Sequence, residues 1–392
     1  MSNHSDLKSK DIKEIAKNVI WPIEEQTKVK HELLRNYISK WIAILFSQQE
    51  RMAKPKKLVY IDGFSGPGVY WRDKTHKALA LGSPLIVANE AKKYIHNSPN
   101  SEFVIICLEK DSKSVAILNM YLELFNKYGQ NWKAYPAEFD QAINTMLDGL
   151  EESGTKNAPI FFFIDPFGYT GFPMTTLKRI LKYPLVELFI NFNIYDVERF
   201  CHDENKDKTM VALFGCKDFI KARQANSSAE KYIFLKNLYC RRLQLEGLAK
   251  YVMPFRVNTP KQKARPRYYL IHASNHLKAL KAMKDSMAQI SDKPFAFEAI
   301  GISNTQTNLF EDPEKLTLKS KIENYLKSLS PNSISYEGLE DWAYPDTNGI
   351  SKTIKQSLCE LEEIDKTIKI KRLPSQQKTT VVKGAKIRYI NQ

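Results

Sequence analysis

Cysteine is scarce and unpaired in this 392-residue chain: Cys107, Cys201, Cys216, Cys240 and Cys359 are scattered and form no Cys-x-x-Cys pair. That argues against a disulfide framework and against a closed thiolate metal site. Cys107, inside the apolar run Val104–Leu108, reads as a small buried hydrophobe. No apolar run approaches the roughly 18 residues that cross a bilayer. The segment Met1–Lys17 is polar and mixed in charge, without the apolar centre of a secretory signal. A cytoplasmic protein with no membrane association is expected. Acidic residues are in deficit, with 44 Asp+Glu against 59 Lys+Arg and a formal net charge of +15. Such a field favours polyanionic partners, nucleic acid foremost, although a solvated lysine-rich surface gives the same count. Glycine is sparse too. Of only 15 glycines, three fall together at Gly63, Gly66 and Gly68, which marks that turn as special.

What is present has the rhythm of an α/β domain. Leu33, Leu34, Tyr37, Trp41, Ile44 and Leu45 recur at helical spacing within residues 24–51, predicting an amphipathic helix. After the basic stretch Lys54–Lys57 come apolar strands at Leu58–Ile61, Phe103–Leu108, Trp132–Tyr135, Phe161–Ile164 and Val186–Phe192. Helices alternate with them: one opening at Gly82-Ser83-Pro84, then Ser112–Lys127, Asp140–Leu150 and Thr175–Leu181. Ser83 is placed to cap its helix, with Pro84 tolerated in the first turn. Asp203–Lys208 reads as a polar, mobile stretch, and a long helix follows near Ala229–Glu246. Tyr251–Val257 and Arg267–His272 flank the basic turn Thr259–Pro266, predicting an antiparallel pair before a helix over His276–Met287. Seven strands with the last pair antiparallel is the layout of a Rossmann-like class I methyltransferase sheet. Three parts are expected: an N-terminal helical extension over 1–56, the Rossmann-like domain over 57–305, and a small domain over 314–392. The polar, turn-rich stretch Asn304–Pro313 would separate the last two. The helix–helix–helix–hairpin pattern of the small domain, basic at Lys366–Arg372 and Lys378–Arg388, matches a winged helix-turn-helix.

Two strand ends carry the chemistry. Tyr60-Ile61-Asp62-Gly63-Phe64-Ser65-Gly66-Pro67-Gly68 ends a strand in an aspartate and a glycine turn. Its order is Gly-x-x-Gly-x-Gly, interrupted by Pro67, so no phosphate cradle is implied. It suits a cofactor without phosphates, held by Asp62, Gly63, Phe64, Gly66, Gly68 and Ser83. S-adenosylmethionine is such a cofactor. Glu109, ending the second strand, is placed to accept from two ribose hydroxyls, or else pairs with Lys110 or Lys113. Glu138, after the third strand, could reach an adenine amino group. The second end, Asp165-Pro166-Phe167-Gly168, sets a carboxylate, a carbonyl and an aromatic face in one turn. That set can accept both hydrogens of an exocyclic amine and stack its ring, or it is a structural turn with a capping aspartate.

These motifs together resemble the three-Cys-motif partner protein (TcmP) family. The matching segments are Tyr60–Gly68, Gly82-Ser83-Pro84-Leu85, Phe163–Gly168, Ile190-Asn191-Phe192 and Tyr268–Asn275, within residues 27–289. The resemblance implies an S-adenosylmethionine-dependent methyltransferase-like protein and a separate, genomically linked partner bearing three cysteines. Gly-Ser-Pro-Leu with an Asp-Pro-aromatic motif is also similar to the adenine-amino methyltransferase of large-subunit rRNA. The amino-methyltransferase signature has Asp-Pro-Pro-aromatic, where Phe167-Gly168 follow Asp165-Pro166 here. That similarity implies that Lys30 and His31 reach the active site. With Lys261, Lys263, Arg265 and Arg267, they are the expected contacts to RNA or DNA. The leading expectation is a nucleic-acid methyltransferase. The alternatives are a non-catalytic binding module of a phage-defence or mobile-element system, and an enzyme acting on a protein or small molecule.

Overall fold

A computed structural model of the chain describes residues 19–52, 56–96, 101–153, 158–245, 248–259, 262–290, 317–374, 377 and 380–390. The expected boundary at Asn304–Pro313, the segment Met1–Lys17, Lys54, Lys261 and Lys378 lie outside these residues. Among the described residues, no helix is long and apolar enough to cross a membrane.

Helix α1 (Glu25–Arg51) leads into strand β1 (Lys56–Asp62), a hairpin of β2 (Val69–Trp71) and β3 (Leu79–Leu81), and helix α2 (Ser83–Ile95). Then come β4 (Ser101–Glu109), α3 (Ser112–Phe125), β5 (Trp132–Pro136), α4 (Phe139–Ser153), β6 (Ile160–Ile164), α5 (Met174–Leu181) and β7 (Val186–Phe192). Three helices follow, α6 (Ile194–Phe200), α7 (Asp207–Phe214) and α8 (Ser228–Gln244). The hairpin β8 (Tyr251–Thr259) and β9 (Gln262–Ser274) and helix α9 (Leu277–Ile290) come next. The sheet has seven strands in the order β5-β4-β1-β6-β7-β9-β8. The first five are parallel, and the β8–β9 pair is antiparallel. The parallel strands run outward in chain order from the β1–β6 neighbours, β1-β4-β5 one way and β6-β7 the other. The carboxyl ends of β1 and β6 therefore flank the crevice where open α/β sheets bind ligands.

Alternation along the strands divides the core in two. Leu58, Tyr60, Phe103, Ile105, Phe161 and Phe163 pack beneath α1, α2, α3 and α9. Ile61, Phe162, Ile164, Leu188 and Ile190 pack against α4, α5 and the α6–α8 group. The N-terminal helix is one of the four that cover the first face. It is pinned there by Glu187, buried on β7, which accepts hydrogen bonds from Tyr37, from Trp41 Nε1 (2.9 Å) and from His272 Nε2 (2.9 Å).

Local chemistry accounts for two departures from the sequence reading and for one added element. Asp203–Lys208 is ordered as a 3₁₀ turn (Glu204–Lys206) running into α7. The Asp203 carboxylate accepts from Asn205 N (3.0 Å), and Arg223 bonds the Cys201 carbonyl (2.7 Å) and pairs with Asp207. Between β1 and α2, Val69–Trp71 and Leu79–Leu81 pair as the β2–β3 hairpin. Ser83 does not cap α2: Gly82 is the cap residue, and the Ser83 hydroxyl bonds Asp62 instead.

The C-terminal residues form α10 (Leu318–Ser328), β10 (Ser333–Ser335), α11 (Tyr336–Asp346), α12 (Ser351–Glu363), β11 (Ile368–Lys371) and β12 (Lys386–Tyr389). The three strands make an antiparallel sheet in the order β10-β12-β11. This unit meets α9 through Lys281, which pairs with Asp341 at 2.7 Å, and through Lys284. The Lys284 amine is buried and donates to the carbonyls of Tyr344 (2.7 Å) and Thr347. Burial lowers its pKa to about 7.

Candidate functional site

The glycine turn after β1 is held from both sides. Gly63 N donates to the Phe163 carbonyl (2.9 Å), and Ser65 N to the Leu108 carbonyl (3.0 Å). Its glycines serve different ends. A Cβ on Gly63 would stand 2.6 Å from the Phe139 ring, and one on Gly68 2.4 Å from Leu118, so both are small for packing. Gly68 also has φ +72, and its carbonyl accepts from Gly82 N at 2.7 Å. Gly66 differs: φ is +56 and its Cβ side is open, with only Trp21 nearby at 3.8 Å. Phe64 packs on Phe139 and Phe172 and ties this turn to the loop after β6.

Asp62 is wholly buried, with Tyr60 Oη 2.9 Å and Phe64 N 3.3 Å from its oxygens and Ser83 as a further donor. Burial outweighs these bonds and raises its pKa to about 7, with the Asp165 charge adding to the rise. Glu109, at the end of β4, does not pair with Lys110 or Lys113. One oxygen accepts from Gly66 N (2.9 Å) and the other from Asp111 N (2.8 Å). Lys110 instead pairs with Glu138 at 2.6 Å, and both are exposed.

Asp165 sits one residue beyond β6 and beside Asn191 of β7, as the register of Ile164 with Ile190 requires. Lys30 of α1 lies 2.7 Å from each Asp165 oxygen, and Asn191 Nδ2 donates to Oδ1 at 2.6 Å. The carboxylate is thus engaged, where the sequence suggested one free for a substrate amine. Lys30 Nζ lies 5.5 Å from the Tyr268 ring, whose hydroxyl donates to the Gln26 carbonyl at 2.6 Å. Pro166 is buried, Phe167 is fully exposed, and Gly168 turns the chain at φ +100. The ring of Phe167 therefore meets solvent at the mouth of the site.

Tyr70 of β2 links the two halves. Burial, then the charges of Asp165, Asp62 and Glu109, push its phenol above the ordinary range. Three carboxylates from the ends of β1, β4 and β6 thus bear on one hydroxyl. Trp21 packs edge-on against the Tyr70 ring at 5.6 Å. His31, the neighbour of Lys30, is 5% exposed, and burial followed by the Lys30 charge lowers its pKa to about 3. Its Nδ1 has no hydrogen-bond partner among the described residues.

Of the expected nucleic-acid contacts, Lys30 and His31 border the site and Lys261 lies outside the described residues. Lys263 and Arg265 are placed by backbone alone, in β9. Arg267 lies over the Tyr195 ring at 5.1 Å. Because Phe192 pairs with Tyr269, residues before Tyr269 extend past the carboxyl end of β7, the end that carries Asp165. The sequence reading missed Asn191, Tyr70 and Trp21 as site residues. Asn191 had a visible signal, a polar side chain at the end of the apolar strand Val186–Phe192.

No family model and no curated protein matches this chain. Among solved structures it is similar to the O-methyltransferase from Bacillus cereus in complex with SAH, at 13% identity and a TM-score of 0.34, over 68% of this chain and 91% of that one.

Proposed function

We propose that the chain is an S-adenosylmethionine-dependent methyltransferase acting on nucleic acid, in the role of a three-Cys-motif partner protein. The observation that carries this reading is the placing of Asp62, Glu109 and Asp165 at or just beyond the carboxyl ends of β1, β4 and β6, around the strand-switch crevice. With Asp165 paired to Lys30, it is Glu109, and Asp62 when ionised, that favour a cationic ligand there over a phosphate. S-adenosylmethionine, with sulfonium and ammonium charges and no phosphate, has that character. The residues present fit it. Gly66 is open to a close approach, and Glu109 keeps lone pairs for ribose hydroxyls beside its two backbone donors. Asp62, once ionised, faces a cationic group. Ser83 keeps Asp62 in place, and Glu138 would exchange Lys110 to reach an adenine edge. When bound, the cofactor supplies an electrophilic methyl group.

The chain's own groups would orient the acceptor. Asp165, held by Asn191 Nδ2, offers a carboxylate acceptor for a hydrogen of an exocyclic amine. Phe167 offers a free ring to stack on a base. No strong base is needed, because the proton leaves after the nitrogen has become cationic. The Lys30–Asp165 pair favours a second reading, a hydroxyl acceptor whose oxygen is polarised by the Lys30 ammonium and whose proton passes to the Asp165 carboxylate. For the polyanion, β9 carries Arg267 beyond the carboxyl end of β7, with Lys263 and Arg265 earlier on the same strand. The C-terminal unit, read as a winged helix, offers the exposed face of β11–β12. There Lys369 lies opposite Arg388 and Lys371 opposite Lys386, like charges that an anion would relieve.

Calorimetric titration of S-adenosylmethionine and S-adenosylhomocysteine into wild type and Glu109→Ala tests the cofactor. Micromolar binding lost in the variant supports the reading. No binding to folded protein leaves the non-catalytic module. A labelled-methyl screen across RNA and DNA, with nuclease digestion of the product, then separates amine from hydroxyl. Asp165→Ala should abolish transfer while cofactor binding is kept. Co-purification with a protein encoded beside it that bears three cysteines tests the partner role.

A further inference from the structure

Of the five tryptophans only Trp21 is exposed, at 49%, and it stands at the glycine turn. Its place is set by backbone rather than by its ring. Trp71 N donates to the Trp21 carbonyl at 2.9 Å, Ile23 N donates to the Trp71 carbonyl at 2.8 Å, and Pro22 forms a parallel bridge with Trp71. Trp71 ends β2, three residues beyond Gly68, so residues 21–23 are fastened to the chain that leaves the turn. The Trp21 ring meets the Tyr70 ring at 5.6 Å and 85°. Beyond the chain neighbours of Gly66, Trp21 Cη2 is the only heavy atom among the described residues within 4 Å of where a Gly66 Cβ would stand, at 3.8 Å. A ligand close against Gly66 therefore has this ring as its neighbour.

A single exposed aromatic residue is ordinary in itself. What sets Trp21 apart is the company it keeps. Gly66 N donates to a Glu109 oxygen at 2.9 Å, so an indole and a carboxylate border the same open glycine. That pairing suits a cation. A carboxylate attracts it by charge, and the negative face of an indole attracts it by its quadrupole, an effect of about five- to thirty-fold in affinity as water is excluded. A neutral ligand gains only apolar contact from the ring, and an anion is repelled by the carboxylate. We propose that Trp21 contacts the ligand of the glycine turn and selects the charged methyl donor, S-adenosylmethionine with its sulfonium, over the neutral thioether of S-adenosylhomocysteine. This rests on the cofactor reading given above and adds to it a residue that discriminates donor from spent product. Weaker hold on the neutral form favours its exchange for a fresh donor.

Calorimetric titration of both compounds into full-length wild type, Trp21→Leu and Trp21→Phe tests this, with tryptophan emission followed in parallel. Backbone bonds hold residues 21–23 and the ring is half exposed, so both variants should keep the fold, which urea unfolding checks. Trp21→Leu keeps apolar bulk and removes the aromatic face. S-adenosylmethionine affinity should fall about five-fold or more and S-adenosylhomocysteine affinity about two-fold at most, while Trp21→Phe retains most of the preference. Ligand should change the emission of wild type saturably, and that change should be missing from Trp21→Leu. An affinity ratio unchanged in Trp21→Leu overturns the proposal whatever the absolute loss, because a merely structural residue weakens both ligands alike. Calorimetric binding to wild type without any change in emission overturns it too. So does a loss of oligonucleotide binding in Trp21→Leu with both cofactor affinities intact, which would assign the ring to the acceptor. Folded wild type that binds neither compound fails differently: it removes the cofactor reading itself, and the role of Trp21 with it.

Discussion

Asp62 is the residue whose charge state governs the cleft. In the folded chain its carboxyl titrates at about 7, against an ordinary value of 3.8, because it is buried. The folded state therefore holds its proton more tightly. The stability it contributes is fully present below pH 3.8 and is lost as pH rises through about 7. A cationic cofactor favours the ionised form, so binding should release a proton. Calorimetry at about pH 6 and about pH 8 should find affinity several-fold weaker at the lower pH, and Asp62→Asn should flatten the dependence. A pH-independent affinity in wild type would refute this. Two glycines offer a second contrast at single positions. Gly68→Ala places a Cβ 2.4 Å from Leu118 at φ +72 and should cost on the order of 3 kcal/mol in urea unfolding. Gly168→Ala, at φ +100 with nothing within 4 Å, meets only backbone strain and should cost about 1 kcal/mol. Equal losses would show that packing against α3 is not what Gly68 serves.

Helix α1 is fixed to the sheet through Glu187. Glu187→Leu strands the donors of Tyr37, Trp41 and His272 in the core and should destabilise by on the order of 3–5 kcal/mol, while Glu187→Gln keeps an acceptor and should cost less than half of that. Chemical denaturation of the two variants checks the ranking. The strands of the sheet were legible in the sequence because each is a short apolar run with a clear stop. Val186–Phe192 is bounded as expected, and the others within a few residues. The helices after β7 were partly hidden. Asp203–Lys208 is polar enough to read as loop, and its order comes from the Asp203 turn and the Arg223 clamp. At the site, periodicity located Asp62, Glu109 and Asp165 as strand ends. It had no means to show that Lys30, 135 positions away, closes on Asp165, since that pairing exists only once α1 lies across the sheet. Glu187 was invisible for the same reason: a carboxylate inside an apolar strand has no local partner to announce it.

For the molecule as a whole, the net charge of +15 is unevenly distributed: Asp62, Glu109 and Asp165 gather at the carboxyl ends of β1, β4 and β6, whereas Lys369, Lys371, Lys386 and Arg388 share the exposed face of β11–β12. Binding of an oligonucleotide should therefore be strongly salt-dependent. Replacing Lys369, Lys371, Lys386 and Arg388 by Ala should lower the slope of log affinity against log salt by up to about 0.7–0.9 for each phosphate that the variant no longer neutralises. An unchanged slope would remove the C-terminal unit from the interface. Lys284 joins that unit to α9, and its depressed pKa means that its burial becomes less costly as pH rises from about 7 toward 10.5.

Two positions in the first half of α1 also set a constraint of phase. Lys30 and Tyr37 are seven residues apart, close to two full turns, so one side of the rod serves both the cleft and the Glu187 anchor. Inserting a single residue between them would turn one end by about 100° relative to the other, and no sideways shift of the helix could restore both. The stretch from Lys30 to Tyr37 is thus a gauge of fixed length, open to exchange of side chains and closed to any change in their number.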